Sequence, residues 1–203
     1  MTDFLHHEAC PQCGSKDNVA VYSNGGRHCF SPGCNYHVNG ETGEETEVQT
    51  PTSLYMGGTI AEIPNRRLSK STTAHYQVTV EFATDGSIAS HYYPYYDRDT
   101  GELVGAKNRV VKNKQFVCSG NMTNVGLFGQ KQCRGSGKYL TITEGEVDAL
   151  SVYEMFGQKY DVVSLRSGAS SAAREIKQNL EWLEGYDNVV ICFDQDKAGE
   201  IAL

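Results

Sequence analysis

Two short acidic motifs carry the chemistry of this sequence. Glu144-Gly145-Glu146-Val147-Asp148 follows directly on the apolar, β-branched run 139–143, and Asp194-Gln195-Asp196 follows on the run 189–193. Hard carboxylate oxygens gathered at one point select Mg2+ or Mn2+ over Zn2+. Without a cation such a group repels itself, and its pKa values rise. Asp194 and Asp196, two residues apart, fall on one strand face. Asp148 stands one helical turn from Glu144, whereas Glu146 reads first as a helix-start residue. One acidic motif after a strand is an ordinary turn or cap. Two of them, each closing a strand of the same unit, point to a shared site of Glu144, Asp194 and Asp196 at the strand ends.

A second ligand set lies near the start. Cys10-Pro-Gln-Cys13 and Cys29-Phe-Ser-Pro-Gly-Cys34 are separated by fifteen residues. Four thiolates on two tight turns close a tetrahedron around Zn2+, and a closed four-cysteine site is structural. A segment so poor in apolar residues needs the metal in order to fold. His28 and His37 are substitute ligands. The chain has seven cysteines, an odd number, and starts without a basic-then-apolar leader. A disulfide framework is not expected, and a reducing compartment is. Cys118, Cys133 and Cys192 read as ordinary small core residues.

The net charge of the 203 residues is −7, but it is unevenly spread. Residues 1–102 carry 6 basic and 13 acidic side chains, residues 103–143 carry 7 basic and none acidic, and residues 144–203 carry 5 basic and 12 acidic. A cationic block between two acidic ones suits a polyanion held beside a carboxylate-bound metal. Within it Lys107, Arg109, Lys112 and Lys114 are the phosphate-holding candidates. At strand spacing Lys107 and Arg109 share a face, as do Lys112 and Lys114. Arg66 and Arg67 are further phosphate candidates.

The elements that must position these residues follow from periodicity. No apolar run approaches the ~18–20 residues of a membrane span. Residues 8–38 hold short strand-like pieces. Residues 39–60, acidic and without apolar periodicity, read as a mobile linker. Residues 62–75 suggest a loop and a short helix capped by Ser69 or Ser71. Runs 77–83, 87–96 and 102–111, separated by turn signals at Asp85-Gly86 and 97–101, read as an antiparallel meander. Tyr92, Tyr93, Tyr95 and Tyr96 alternate between its core and surface, with base stacking as the second reading. His75 and His91 read as plain fold residues. From residue 138 the pattern changes to strand 139–143, helix 147–156, strand 161–165, a helix to about 183, strand 189–193 and a helix from 198. That alternation calls for parallel pairing.

Glu144-Gly-Glu with Asp194-x-Asp on this topology resembles a Toprim domain. Preceded by a four-cysteine ribbon, an acidic linker and a basic subdomain, it resembles the primase half of the bifunctional primase-helicases of short-tailed bacteriophages and, more distantly, bacterial primases. Lys107-x-Arg109, Leu127-Phe128-Gly129, Ser164-Leu165 and Gly168-Ala169-Ser170 are further local matches. The second cysteine pair, with four intervening residues, is wider than the family's usual two.

The resemblance implies an α+β protein with an α/β part. Its divisions would be a zinc ribbon reading the DNA template (1–38), a flexible linker (39–60), a basic subdomain (61–137) and an incomplete Toprim catalytic subdomain (138–203). It implies RNA primer synthesis on single-stranded DNA from ribonucleoside triphosphates, with one structural Zn2+ and catalytic Mg2+ or Mn2+. Asp194 and Asp196 would be metal ligands, Glu144 a ligand or general base, and Asp148 an auxiliary catalytic carboxylate. A replicative DNA polymerase and a helicase domain would be partners, in the cytoplasm of an infected bacterial host. Because the sequence stops seven residues after Asp196 and has no Walker A motif, the third Toprim acid and the helicase motor are expected outside it. The residues alone also admit a metal-dependent Toprim nuclease, or a non-catalytic zinc-plus-Toprim DNA-binding module of the recombination-mediator type.

Overall fold

The structure, a computed structural model, describes residues 3–11, 14–30, 34, 36–40, 53–195 and 199. Cys13, Asp196 and most of the expected linker lie outside the described residues. Three sheets organise the described chain. The first is antiparallel, formed in sequence order by β1 (Phe4–Glu8), β2 (Val19–Tyr22), β3 (Arg27–Cys29) and β4 (His37–Val38). Its buried cluster is small: Cys10, Val19, Cys29, Cys34, Tyr36 and Val38.

The second sheet is the expected meander with one strand more. Helix α1 (Lys70–His75) precedes it, capped by Ser69, whose Oγ accepts from Thr72 N–H at 3.4 Å. Strands β5 (Thr79–Phe82), β6 (Ile88–Tyr96), β7 (Leu103–Val110) and β8 (Phe116–Gly120) then pair antiparallel in order. Register sets two cross-strand rows on one face: His91–Arg109–Phe116 and Tyr93–Lys107–Cys118. The described end of the expected linker is not loose chain. Thr59 pairs with Val80, Tyr55 N–H donates to Ser119 Oγ at 3.1 Å, and the Tyr55 ring meets Tyr92. Lys112 and Lys114 do not share a strand face either. Both lie in the β7–β8 turn, where Lys114 is left-handed (φ 57°), so period-2 alternation does not apply.

The third sheet is parallel, in the order β10-β9-β11. It runs β9 (Gly137–Thr143), α2 (Glu146–Met155), β10 (Asp161–Ser164), α3 (Ala172–Gln178), α4 (Leu180–Leu183) and β11 (Tyr186–Cys192). The single helix expected up to residue 183 is broken at Asn179, whose side chain donates to Glu175 O at 2.8 Å. The second and third sheets share a core. Tyr76, Tyr93, Tyr95 and Phe128 pack with Ala149, Leu150 and Tyr153 of α2 and Val162 of β10, and Tyr76 OH donates to Val162 O at 2.8 Å.

Candidate functional site

The chain leaves β9 toward β10 on one side and returns for β11 on the other, so the carboxyl ends of β9 and β11 bound the crevice where open parallel sheets bind ligands. Thr143 and Cys192 are paired in register. Glu144, one residue past β9, therefore stands beside Asp194, two residues past β11. Glu144 Oε2 accepts from Asp194 N–H at 3.4 Å, and its Oε1 accepts from Ala169 N–H, also at 3.4 Å. The loop after β10 approaches closely enough that a Cβ on Gly168 (φ 74°) would lie 3.4 Å from Glu144 Oε1. Asp148 stands in the first turn of α2, with an oxygen 3.1 Å from where a Gly145 Cβ would be. Partial burial, and then the charges of Asp194, Glu144 and Glu146, push its carboxyl above the usual range, with a smaller opposing effect from a backbone hydrogen bond to Gly145. Glu144, Asp148 and Asp194 thus stand on two strand ends and a helix start, with Asp148 in the field of the other two. Carboxylate oxygens suit a hard divalent cation, but among the described residues those of Glu144, Asp148 and Asp194 do not all lie within 4.8 Å of one another, so a cation would have to draw them together.

Glu146 is drawn out of this group. It is 3% exposed. Its Oε1 accepts from Tyr95 OH at 2.6 Å and from Lys107 Nζ at 2.7 Å. Lys107 also donates to Arg166 O at 2.8 Å. The ammonium expected to meet phosphate is here a clamp joining β7 to the start of α2 and the end of β10. Arg166, in turn, donates its N–H to buried Glu175 at 2.7 Å and its guanidinium to Met122 O at 2.9 Å.

The cationic wall is Arg109 with Arg66. Together with Tyr93, Phe116, Gly145, Glu146, Val147 and Asp148 they line a cleft of about 220 Å³. Arg109 and Lys107 both lie over the Phe116 ring, at 5.8 and 4.7 Å from its centroid. Lys112 and Lys114 are exposed in the adjoining turn. Tyr93 and Tyr95 are buried in the shared core, and Tyr92, on the other face, is covered by Tyr55. His91 is buried behind the wall with Nδ1 at 3.0 Å from Tyr93 OH.

In the first sheet the Sγ atoms of Cys10, Cys29 and Cys34 all lie within 4.8 Å of one another, with Cys10 and Cys34 at 3.5 Å. Thiolates on a tetrahedral Zn2+ would stand roughly 3.8 Å apart, from Zn–S bonds of ~2.3 Å. Gly14, left-handed at φ 70°, donates to Cys10 O at 3.0 Å and closes the turn after the first knuckle. The described cysteines fit a zinc site.

Comparison with known proteins places this geometry in context. Residues 141–203 match the Toprim-like family. The DNA helicase/primase of Enterobacteria phage T3 is 33% identical over 220 residues, which cover 98% of this chain and 37% of that protein. The crystal structure of the primase fragment of the bacteriophage T7 primase-helicase superposes with a TM-score of 0.67 at 29% identity, over 98% of this chain and 83% of that one. This chain is homologous to the primase half of phage primase-helicases. Primase domains of the same phage, solved with its lagging-strand DNA polymerase, an RNA/DNA hybrid and dTTP, superpose at a TM-score of 0.62 and 29% identity, over 96% of this chain and 82% of theirs. The chain spans little more than a third of its phage T3 relative.

Sequence reasoning missed Tyr95 and Arg166, which tie the acidic motif to the meander, and passed over Phe116. Tyr95 and Arg166 carry no motif; only their tertiary neighbours give them a role. Phe116 did leave a signal, as an aromatic two residues past Lys114, the last of the four phosphate candidates.

Proposed function

We propose that this chain is the RNA-polymerising part of a DNA primase, joining ribonucleotides on a single-stranded DNA template. The observation that supports this most is the hydrogen bond from Asp194 N–H to Glu144 at adjacent parallel strand ends, next to a cleft lined by Asp148, Arg66 and Arg109. In the reaction a 3′-hydroxyl oxygen bonds to the α-phosphorus of the next nucleotide. The α–β phosphoanhydride bond breaks, pyrophosphate leaves and the hydroxyl proton goes to a base. Glu144, Asp194 and, by its motif, Asp196 would hold a divalent cation. Such a cation, when bound, neutralises charge on the transferring phosphate and the leaving group.

The chain's own residues do the rest. Glu144, held by two backbone N–H groups, is oriented to take the hydroxyl proton or to serve as a ligand. Asp148, with its raised carboxyl, is the auxiliary. Arg109 and Arg66 receive phosphate oxygens, with Lys112 and Lys114 contacting the nucleic-acid backbone from the turn. Residues 1–38 would read the template as a zinc ribbon, tethered by 39–60 to a basic subdomain (61–137) and a Toprim subdomain (138–203). A helicase motor and a replicative DNA polymerase would be partners in the infected cell.

The test is incubation of the full-length protein with single-stranded DNA, labelled ribonucleotides and Mg2+. Labelled oligoribonucleotides are expected, and Asp194→Ala should abolish them while leaving DNA binding intact. Shortened DNA without labelled product would instead identify a nuclease, and binding with neither product a DNA-binding module.

A further inference from the structure

We propose that Phe116 is the platform on which a nucleobase stacks in the cleft beside the carboxylates, the base belonging to the bound ribonucleotide. This rests on the primase reading and deepens it. Phe116 is 51% exposed, although its ring belongs to the inner row His91–Arg109–Phe116 rather than to the outer face. It lines the cleft whose opposite wall is Gly145, Glu146, Val147 and Asp148. The ring already has cationic company, with Lys107 Nζ and the Arg109 guanidinium over it. A large apolar ring left open to water, in a cleft lined also by two arginines and Asp148, has the two properties a nucleotide needs. There is a flat hydrophobic face for the base, and guanidinium donors beside it for the phosphates.

The alternative aromatics do not serve. Tyr93 and Tyr95 are buried in the shared core, and Tyr92 lies under Tyr55. A nucleobase in this cleft could also come from the DNA template. The ribonucleotide is favoured because the cleft includes Asp148, so a base on Phe116 leaves its own triphosphate next to the carboxylate group.

The experiment measures binding without turnover, by titrating the protein with ATP, with inorganic tripolyphosphate and with a single-stranded oligodeoxynucleotide, each in Mg2+. Phe116→Ala should weaken ATP binding roughly tenfold, the loss expected when one base loses its stack. Tripolyphosphate and oligonucleotide binding should be unchanged. Phe116→Trp should retain ATP affinity, whereas Phe116→Leu, which keeps apolar bulk without a π-face, should not restore it. Loss confined to the oligonucleotide would assign the base to the template and overturn the proposal, as would unchanged ATP affinity or full rescue by leucine. Because binding is read without chemistry, a chain that stacks ATP on Phe116 but makes no primer would refute the primase reading and leave this inference standing.

Discussion

His91 is a neutral imidazole walled in by its own sheet. Burial, and after it the charges of Arg109 and Arg66, lower its pKa to about 4. Its Nε2 has no hydrogen-bond partner among the described residues. A folded-state pKa below the unfolded value of about 6.5 stabilises the fold above pH 6.5, and that contribution is lost as the pH falls through 6.5 toward 4. Between about pH 7.5 and about pH 5 the loss amounts to about 2 kcal/mol. Urea unfolding at the two pH values should show wild type losing that much more than His91→Gln; equal losses would mean that the imidazole is hydrated. At this scale the sequence told only half the story. Glu144 and Asp194 were legible because each closes an apolar run, and a run's end predicts where a side chain goes. The partnership of Tyr95 with Glu146 was not, because 51 residues separate them and no local pattern records the contact.

Between elements, the junction of the meander with the parallel sheet depends on Lys107. Its ammonium meets Glu146 at 2.7 Å, with the two side chains 14% and 4% exposed. Lys107→Ala would leave the Glu146 carboxylate buried with only the Tyr95 hydroxyl for company. Removing one partner of a buried pair costs about 3–5 kcal/mol, whereas removing both charges is often neutral. Lys107→Ala should therefore lower the urea midpoint sharply, and Lys107→Met combined with Glu146→Gln should recover most of it. A change in the salt dependence of DNA binding with little loss of stability would return Lys107 to the phosphate contacts expected from sequence. The elements themselves were mostly readable: β9, α2 and β10 follow their apolar patterns to within two residues. β8 was hidden because Phe116–Gly120 is an edge strand with no fully buried position, so burial imposes no alternation on it. The helix break at Asn179 was hidden for another reason. It depends on a side chain bonding back to Glu175 O, which helical periodicity does not report.

Across the whole molecule the buried clusters divide unequally. Tyr76, Tyr93, Tyr95 and Phe128 share one cluster with α2 and β10, so the meander and the parallel sheet have a common core and should unfold together. The first sheet's cluster has six members, three of them cysteines. So few apolar groups offset little of the conformational entropy of this segment, and a metal on the thiolates would supply the difference. The single tryptophan, Trp182, packs 5.3 Å from Tyr186 against the parallel sheet's own cluster and reports on that cooperative unit, not on the first sheet. A zinc chelator in excess Mg2+, or Cys29→Ser, should therefore open the segment before residue 40 to proteolysis and abolish its strand signal. The urea midpoint read by Trp182 should stay where it was. A Trp182 transition that moves with chelation would show that the thiolate cluster stabilises the parallel sheet as well, making the first sheet part of one cooperative unit instead of a separately folding one.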